Sequence, residues 1–263
     1  MLGALGGSLV GAYLRKAPRH RGRFQMAKAA FRAIGERPVC GAYGVRLLSN
    51  WRDATNILAA IGGPFDDVFS EVDKLKPGMA FVDIGANHGV FSMVAGHRVS
   101  RDGVVIAFEP SHSVYRYLVA NAALNGLSNF YPFKAAIGPS TGVCSFNDGD
   151  TSHTGTGHLS QSGRSIVLQL SANDLESPVS ALIGGRRTMI KIDVEGAEAH
   201  VLNALRAILS RPHTDVVIVE VDESQMARFG HNKSDLYEPM LKMGYRPRRG
   251  AGFSSHFNEV FYR

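Results

Sequence analysis

Continuous apolar runs alternate with stretches of helical periodicity along most of the 263-residue chain. A strand that helices cover on both faces is apolar at every position, so the runs predict buried strands. Between them, apolar residues recur every three or four positions, which predicts amphipathic helices. This alternation predicts an α/β fold with a mostly parallel central sheet and helices on both faces. The predicted strands are 79–84, 104–108, 130–136, 189–194, 215–221 and 259–262, and the predicted helices are 27–34, 65–75, 90–99, 111–125, 197–209 and 236–243.

Shorter segments flank this predicted core. Residues 142–146 and 165–170 predict an added pair of strands, and residues 57–61 predict a short strand or turn. A Gly-Gly-Pro breaker follows directly. We therefore expect an N-terminal extension over residues 1–60, partly helical, that packs on or tethers a domain over residues 61–263.

The first buried strand runs into a glycine-punctuated turn, Gly85-Ala86-Asn87-His88-Gly89, and Glu109 ends the next strand. Such a βαβ unit binds a nucleoside, because the glycines let the backbone approach the ligand and the carboxylate accepts hydrogen bonds from ribose hydroxyls. The turn lacks the G-x-G-x-x-G pattern of dinucleotide sites. Asp83, two residues before the first glycine, would repel a pyrophosphate and attract an ammonium group. These features favour S-adenosylmethionine over NAD. The alternative is that Asp83 and the glycines only shape the turn.

Four segments of the chain resemble the FkbM family of S-adenosylmethionine-dependent methyltransferases, namely 82–89, 107–110, 135–138 and 190–198. The resemblance extends over roughly residues 60–222, with His88 standing where the family usually has an aliphatic residue. It implies a Rossmann-like class I methyltransferase fold with an antiparallel last strand. It also implies S-adenosyl-L-methionine as cofactor and a hydroxyl of a small molecule or sugar as methyl acceptor.

Ligands of open α/β sheets bind beyond the carboxyl ends of the strands. Together with the resemblance, this geometry predicts a set of cofactor-binding residues: Asp83, Gly85, Ala86, Asn87, His88, Gly89, Glu109, Pro110 and Ala136.

Charged residues interrupt the fourth predicted strand at alternate positions, Lys191, Asp193 and Glu195. An unpaired buried charge is costly, so these side chains need partners, solvent or a ligand. We predict that Asp193 orients or deprotonates the acceptor, with Glu195 assisting or capping the next helix. The structural alternative is an ion pair with Lys191 that anchors the strand. Asp193, Glu195 and Glu220 could also bind a cation through oxygen, but we predict no metal.

A polar segment, here called the polar loop, covers residues 147–163 and has Leu159 as its one apolar residue. A loop of this length inside a compact domain is usually mobile or functional. His153 and His158 are candidate general bases, because histidine titrates near neutral pH. We expect a substrate lid, a metal-binding loop or a disordered connection between two strands.

Positive charge is concentrated at the start of the chain, whose overall net charge is +6. Residues 1–48 hold nine Lys or Arg against one acid, Glu36, which gives this basic arm a net charge of +8. Such an arm can bind nucleic acid or an anionic membrane surface, act as a targeting segment, or remain solvated. We expect no nucleic-acid partner and at most weak membrane-surface contact. We expect no transmembrane segment, because no apolar run reaches the roughly 18 residues that a span needs.

Two cysteines, Cys40 and Cys144, are too few for a disulfide framework and fit a reducing compartment, so we predict a cytoplasmic protein. A nucleic-acid methyltransferase and a non-catalytic nucleoside-binding protein of the same fold are alternatives to the small-molecule O-methyltransferase. The acceptor, its regiochemistry and the oligomeric state stay open at this point.

Overall fold

The computed structural model of the protein describes residues 10–13, 22–150, 152–160 and 162–263. Much of the basic arm, including Arg15 to Arg21, lies outside the described residues, so the expectations for it stay predictions. Among the described residues, no helix combines the length and apolar character that crossing a membrane requires.

Strands and helices alternate along the chain as predicted. From residue 22 onwards the helices are α1 (Arg23–Ile34), α2 (Ala54–Ile61), α3 (Asp66–Val72), α4 (Val90–Val99), α5 (His112–Leu124), α6 (Ala172–Ile183), α7 (Glu198–Ala204), α8 (Arg206–Leu209), α9 (Glu223–Met226) and α10 (Ser234–Lys242). The strands are β1 (Pro38–Cys40), β2 (Arg46–Leu48), β3 (Ala80–Ile84), β4 (Val104–Phe108), β5 (Phe130–Phe133), β6 (Ala136–Ile137), β7 (Gly142–Asn147), β8 (His158–Leu159), β9 (Ser165–Leu170), β10 (Thr188–Ile192), β11 (Thr214–Asp222), β12 (Arg246–Pro247) and β13 (His256–Tyr262).

Seven strands form the central sheet in the order β12-β13-β11-β10-β3-β4-β5. The neighbours from β11 to β5 are parallel, whereas β13 runs antiparallel to both β11 and β12. The chain order reverses at β3, from which the sheet continues to β4 on one side and to β10 on the other. In doubly wound sheets the ligand crevice lies at such a reversal. The predicted Rossmann-like α/β fold with an antiparallel last strand is thereby confirmed.

The strands divide their side chains between two hydrophobic cores, one on each face of the sheet. Along β3, Phe81 belongs to one core, and Val82 and Ile84 belong to the other. This division arises because successive side chains of a strand point to opposite faces. All five residues of β3, of β4 and of β10 are buried, which explains why these segments are apolar in the sequence apart from Asp83, Thr188 and Lys191.

A second sheet of four strands has the order β6-β9-β7-β8. Its antiparallel β7-β9 pair confirms the predicted added strands. The single strand predicted over residues 130–136 is wrong, because β5 ends at Phe133 and Ala136 pairs with β9 in the second sheet. Pro132 within β5 suits an edge strand, where the missing N–H leaves no ladder hydrogen bond unmade.

Three helical segments also differ from the prediction. Residues 57–61 complete α2 instead of forming a strand or turn, because Asp53 caps this helix by accepting a 3.0 Å hydrogen bond from its first turn. No element was predicted for α6, although a capping box of Ser171 and Asp174 begins it. The single helix predicted over residues 197–209 is divided into α7 and α8.

The segment before the predicted boundary at residue 60 packs directly on the domain. Phe31 of α1 and Leu47 of β2 are fully buried in the same hydrophobic core as Phe81 of β3. The described part of the extension is therefore continuous with the domain core, and the boundary itself stays a prediction.

Asn121 of α5 joins the two parts, and we predict that Asn121→Ala lowers the free energy of unfolding by about 1–3 kcal/mol. The fully buried amide accepts a 2.7 Å hydrogen bond from the N–H of Leu48 and donates a 2.8 Å hydrogen bond to the carbonyl of His88. The substitution leaves both backbone groups without a partner. Denaturant unfolding measures the loss. Asn125→Ala is the matched control, since it removes similar bonds to Arg46 from a partly exposed amide at the same helix end. Equal losses in the two variants would contradict the prediction.

Candidate active site

A cavity of about 380 Å³ lies beyond the carboxyl ends of β3, β4, β10 and β11. Its walls come from the turn after β3, the segments that follow β4 and β10, helix α2 and the polar loop. This is the position at which the order of the strands reverses. The sheet therefore places the cavity where a ligand crevice is expected.

The turn after β3 is shaped by close packing within the protein. Gly85 and Gly89 have φ angles of 75° and 79°, in the left-handed region that favours glycine. A Cβ atom at Gly85 would overlap the carbonyl oxygen of Asp193, and one at Gly89 would overlap Leu118. Asn87 also has a left-handed φ of 52°, a conformation that asparagine adopts more readily than most residues. Both glycines are thus required by the fold itself, before any ligand is considered.

Glu109 supports this turn and faces the cavity at the same time. Its two carboxylate oxygens accept hydrogen bonds from the N–H groups of Asn87 and Ser111, both at 2.9 Å. Only 5% of Glu109 is exposed, and burial raises its pKa to about 7 in spite of these hydrogen bonds. Each oxygen keeps a further lone pair, so Glu109 can still accept hydrogen bonds from a ligand.

Lys191 is a buried cation between two carboxylates. Its Nζ lies 3.0 Å from Asp193 Oδ2 and 3.7 Å from Asp83 Oδ1. Burial lowers the pKa of Lys191, but Asp193 and Asp83 outweigh it, so the pKa lies above its usual value. Asp83 is fully buried, which raises its pKa, and it accepts a 2.6 Å hydrogen bond from Ser92 Oγ. Asp83 therefore anchors Lys191 from behind the cavity wall.

Asp193, Glu195 and Glu220 form the acidic rim of the cavity, where one oxygen of each lies within 4.8 Å of the others. Burial, followed by repulsion from Glu220 and Asp193, raises the pKa of Glu195 to about 9. Burial and Asp193 raise the pKa of Glu220 to about 8. Both carboxyls therefore bind a proton more readily than an exposed glutamate does. A divalent cation, which these three oxygens could coordinate, would instead favour three ionised carboxylates. Glu195 also has a φ of 57°, a strained conformation of the kind that clusters at functional sites.

His256 joins the acidic rim from the antiparallel strand β13. Its Nε2 lies 3.1 Å from Glu220 Oε1, and its Nδ1 lies 3.7 Å from Asp222 Oδ2. The hydrogen bond to Glu220 raises the pKa of His256. The sequence analysis missed this residue, which lines the cavity because the first residue of β13 pairs with the last residue of β11. An antiparallel last strand is the signal that could have identified it.

The polar loop forms one wall of the cavity. Residues 154–156 form a 3₁₀ turn, and β8 pairs with β7 in the second sheet. His153 lines the cavity together with Thr154 and Gly155. His158 lies in β8 and lines a second cavity beside His200. The structure therefore brings only one of the two predicted loop histidines to this site.

The cavity collects most of the predicted site residues. From the predicted cofactor-binding set, its walls contain Gly85, Ala86, Asn87, His88, Glu109, Pro110 and Ala136. From the predicted catalytic set, they contain Asp193, Glu195 and His153. The predicted residues that lie outside the walls are Asp83, Gly89 and His158. Helix α2 adds residues for which the local sequence carried no signal, namely Thr55, Leu58 and Ala59.

The raised pKa of Glu195 predicts that Glu195→Gln stabilises the protein more at pH 8 than at pH 5. The folded protein keeps a proton on Glu195 up to about pH 9, whereas the unfolded chain releases it near the ordinary value of 4.5. Stability is therefore lost as the pH rises between these values. Glutamine imitates the protonated acid and removes that loss. Thermal unfolding at the two pH values measures the effect. The control is Glu238→Gln, at an exposed ion pair with Lys242 in α10. The prediction fails if the effect of Glu195→Gln is the same at both pH values.

Several solved structures are similar to the chain at low sequence identity. A candidate rRNA methylase from Clostridium thermocellum is 9% identical and aligns over 75% of this chain and 94% of its own, with a TM-score of 0.46. The fibrillarin of Aeropyrum pernix, solved with natively bound S-adenosyl-L-methionine, is 12% identical over 95% of this chain and 85% of its own, with a TM-score of 0.44. A SAM-dependent methyltransferase from Aquifex aeolicus is 13% identical over 76% of this chain and 88% of its own, with a TM-score of 0.42. Similarity at this level carries no argument about the acceptor.

No curated protein sequence matches the chain. The sequence profile of the Methyltransferase FkbM domain, in contrast, matches residues 83–247. This range covers more than half of the chain and includes the turn after β3, Glu109, Lys191 and the acidic rim. The chain therefore belongs to the FkbM methyltransferase family and is a methyltransferase that uses S-adenosylmethionine as its cofactor.

Proposed function

We propose that the protein binds S-adenosylmethionine in the cavity and transfers its methyl group to a hydroxyl of a small molecule or sugar. The observation that carries the proposal is the presence of two different ends in one cavity. One end has Glu109 and the turn after β3, and the other has the acidic rim. The first end suits a nucleoside and the second suits the activation of a hydroxyl.

At the nucleoside end, Glu109 accepts hydrogen bonds from the ribose hydroxyls through its free lone pairs. The wall beside Glu109 is apolar and contains Pro110, Ala136, Ile137 and Phe146. An adenine ring fits such a wall, because aromatic and aliphatic side chains pack against the flat faces of the base.

At the opposite end, Asp193 accepts the proton of the acceptor hydroxyl. At the same time the hydroxyl oxygen of the acceptor attacks the methyl carbon of the cofactor. The carbon–sulfur bond breaks as the new carbon–oxygen bond forms, and the sulfur leaves with the electron pair as a neutral thioether. Lys191, 3.0 Å from Asp193 Oδ2, holds the carboxylate in place. Glu195, whose pKa is raised to about 9, donates a hydrogen bond to the acceptor in its protonated form, whereas Glu220 pairs with His256. The rest of the rate enhancement comes from aligning the two reactants.

Two further features belong to this proposal. The N-terminal extension through residue 60 is part of the working enzyme, because Thr55 and Ala59 of α2 line the cavity. The protein acts in the cytoplasm, where the unpaired thiols of Cys40 and Cys144 remain reduced. Any contact of the basic arm with a membrane surface is weak.

Glu109 predicts a pH dependence of cofactor binding. An ionised carboxylate accepts hydrogen bonds from ribose hydroxyls more strongly than a protonated one, and burial raises the pKa of Glu109 to about 7. Affinity for S-adenosylmethionine should therefore fall as the pH decreases from 8 to 6, because a proton must be removed before binding. Calorimetry at both pH values measures this change. Glu109→Gln should weaken binding by roughly 1–3 kcal/mol at pH 8 and abolish most of the pH dependence. The same pH dependence in both proteins would remove Glu109 from the cofactor site.

We predict that a substitution of Asp193 slows methyl transfer and leaves the affinity for S-adenosylmethionine nearly unchanged. Asp193→Asn keeps the size of the side chain and removes its basicity, so single-turnover methyl transfer should slow by about 10²–10⁴-fold. The assay requires an acceptor, which mass spectrometry of metabolites retained by the purified protein can supply. Asp215→Asn is the matched control, because Asp215 lies at the amino end of β11, away from the cavity, and is paired with Arg187. A rate within about threefold of the unmodified enzyme would exclude Asp193 as the base.

A further inference from the structure

The polar loop is fastened to helix α2 in the described part of the chain. The N–H of Ala54 donates to the carbonyl of Ser152 at 2.7 Å. The N–H of Gly155 donates to Thr55 Oγ1 at 2.9 Å. These bonds join a polar segment of the second sheet to the first turn of a helix about a hundred residues earlier in the chain. A loop that solvent alone surrounded would show no such pairing.

Asp53 is the centre of this attachment. Its carboxylate is fully buried, and its Oδ2 accepts a 2.7 Å hydrogen bond from Thr154 Oγ1. Its Oδ1 accepts hydrogen bonds from the N–H of Thr154 at 3.2 Å and from the N–H of Thr55 at 3.0 Å. One carboxylate thus caps α2 and holds the polar loop. Asp53 precedes the range that the FkbM profile matches.

His88 is the side chain that packs against the carboxylate of Asp53. Only 2% of the His88 side chain is exposed, and its Nε2 lies 3.1 Å from Asp53 Oδ2, close but outside the angle of a directed hydrogen bond. Its Nδ1 lies against Asn87 Oδ1. Both ring nitrogens therefore face acceptor oxygens, so the ring joins the turn after β3 to Asp53. A buried carboxylate needs such a partner, since an unpaired buried charge is costly.

These residues connect the loop to the cavity. His88, Thr154 and Gly155 all line it. The backbone N–H of Asn87 donates a hydrogen bond to the carboxylate of Glu109. The side-chain amide of Asn87 also donates to the carbonyl of Thr154 at 3.5 Å. The wall made by the polar loop is thus tied to the same turn that supports the candidate ribose-binding carboxylate.

We propose that Asp53 and His88 are positioning residues that fasten the polar loop over the cofactor, so that the spent cofactor leaves only after the contacts between Asp53 and Thr154 open. The proposal rests on the placement of the cofactor in this cavity. It explains why a histidine occupies position 88, where an aliphatic side chain could not pair with a buried carboxylate. It also gives the N-terminal extension a specific task, which is to hold the far side of the loop.

The test uses three variants of the full chain. Thr154→Val removes only the hydroxyl of the loop and leaves Asp53 and His88 in place, so folding is preserved. His88→Gln and Asp53→Asn change the two partners separately. Asp67→Asn is the control. Asp67 lies on α3, away from the polar loop, and the substitution breaks its ion pair with Arg249.

Two measurements separate positioning from general stability. Hydrogen exchange in the unliganded protein reports opening at the amides of Thr154 and Gly155, relative to the core amides of β3. Stopped-flow fluorescence reports dissociation of S-adenosylhomocysteine through Trp51, the single tryptophan of the chain, which lies two residues before Asp53. We expect at least tenfold faster loop exchange and at least tenfold faster dissociation in each of the three variants, equivalent to about 1.4 kcal/mol. In Asp53→Asn, whose side chain lies outside the cavity walls, the Michaelis constant for S-adenosylmethionine should rise while kcat does not fall. The control should change neither rate.

Loop exchange and dissociation rates within twofold of the unmodified protein in Thr154→Val and His88→Gln would overturn the proposal. A change in melting temperature without a change in loop exchange would also overturn it, since a purely structural pair behaves in that way. Normal weakening of cofactor binding by Glu109→Gln in the same experiments would show that the cavity is still the cofactor site and that only the fastening role is wrong. Unchanged binding in Glu109→Gln would instead place the failure in the proposed function.

Discussion

The buried ammonium of Lys191 is the interaction on which both ends of the site depend. Lys191 and Asp83 are register partners on the adjacent strands β10 and β3, at the centre of the sheet. Without Asp83 and Asp193 the cation would be unpaired in an apolar core, which is among the most costly arrangements in a protein. Asp83 in turn binds Ser92 of α4, the helix that follows the glycine turn. One cation thus connects the support of the cofactor turn to the carboxylate that faces the acceptor.

The same centre explains why glycine is needed in the turn. The carbonyl of Asp193 occupies the space that a side chain at position 85 would take. The N–H of Asp193 donates to the carbonyl of Ile84 at 3.0 Å, so β3 and β10 end in direct contact. The close approach of two strand ends therefore brings the nucleoside turn and the acidic rim into one cavity. A larger residue at either end would separate the two halves of the site.

Much of the fold could be predicted from the sequence, because the central strands are buried on both faces and read as continuous apolar runs. Glu109 could be identified because it ends such a run. Asp83 was expected to face the ligand, but its side chain is fully buried beside Lys191 and does not line the cavity. The alternating positions of a strand do not reveal on which face of the sheet a charged side chain lies. His256 could not be found by local pattern, since it reaches the site through the long-range pairing of β13 with β11. The short apolar segment at 57–61 was ambiguous for the usual reason, that helix and strand share such runs.

The acidic rim has a consequence for inhibition by product. Methyl transfer converts the sulfonium of S-adenosylmethionine, a cation, into a neutral thioether, while the nucleoside portion stays the same. With the cofactor placed as we propose, Asp193, Glu195 and Glu220 stand on the side of the cavity where that positive charge disappears. The arriving sulfonium favours the ionised forms of Glu195 and Glu220, whose pKa values are raised, and its loss favours their protonated forms again. The rim therefore binds the charged S-adenosylmethionine more tightly than the neutral S-adenosylhomocysteine. Accumulated S-adenosylhomocysteine is then a weaker competitive inhibitor than its shared adenosine portion alone would make it.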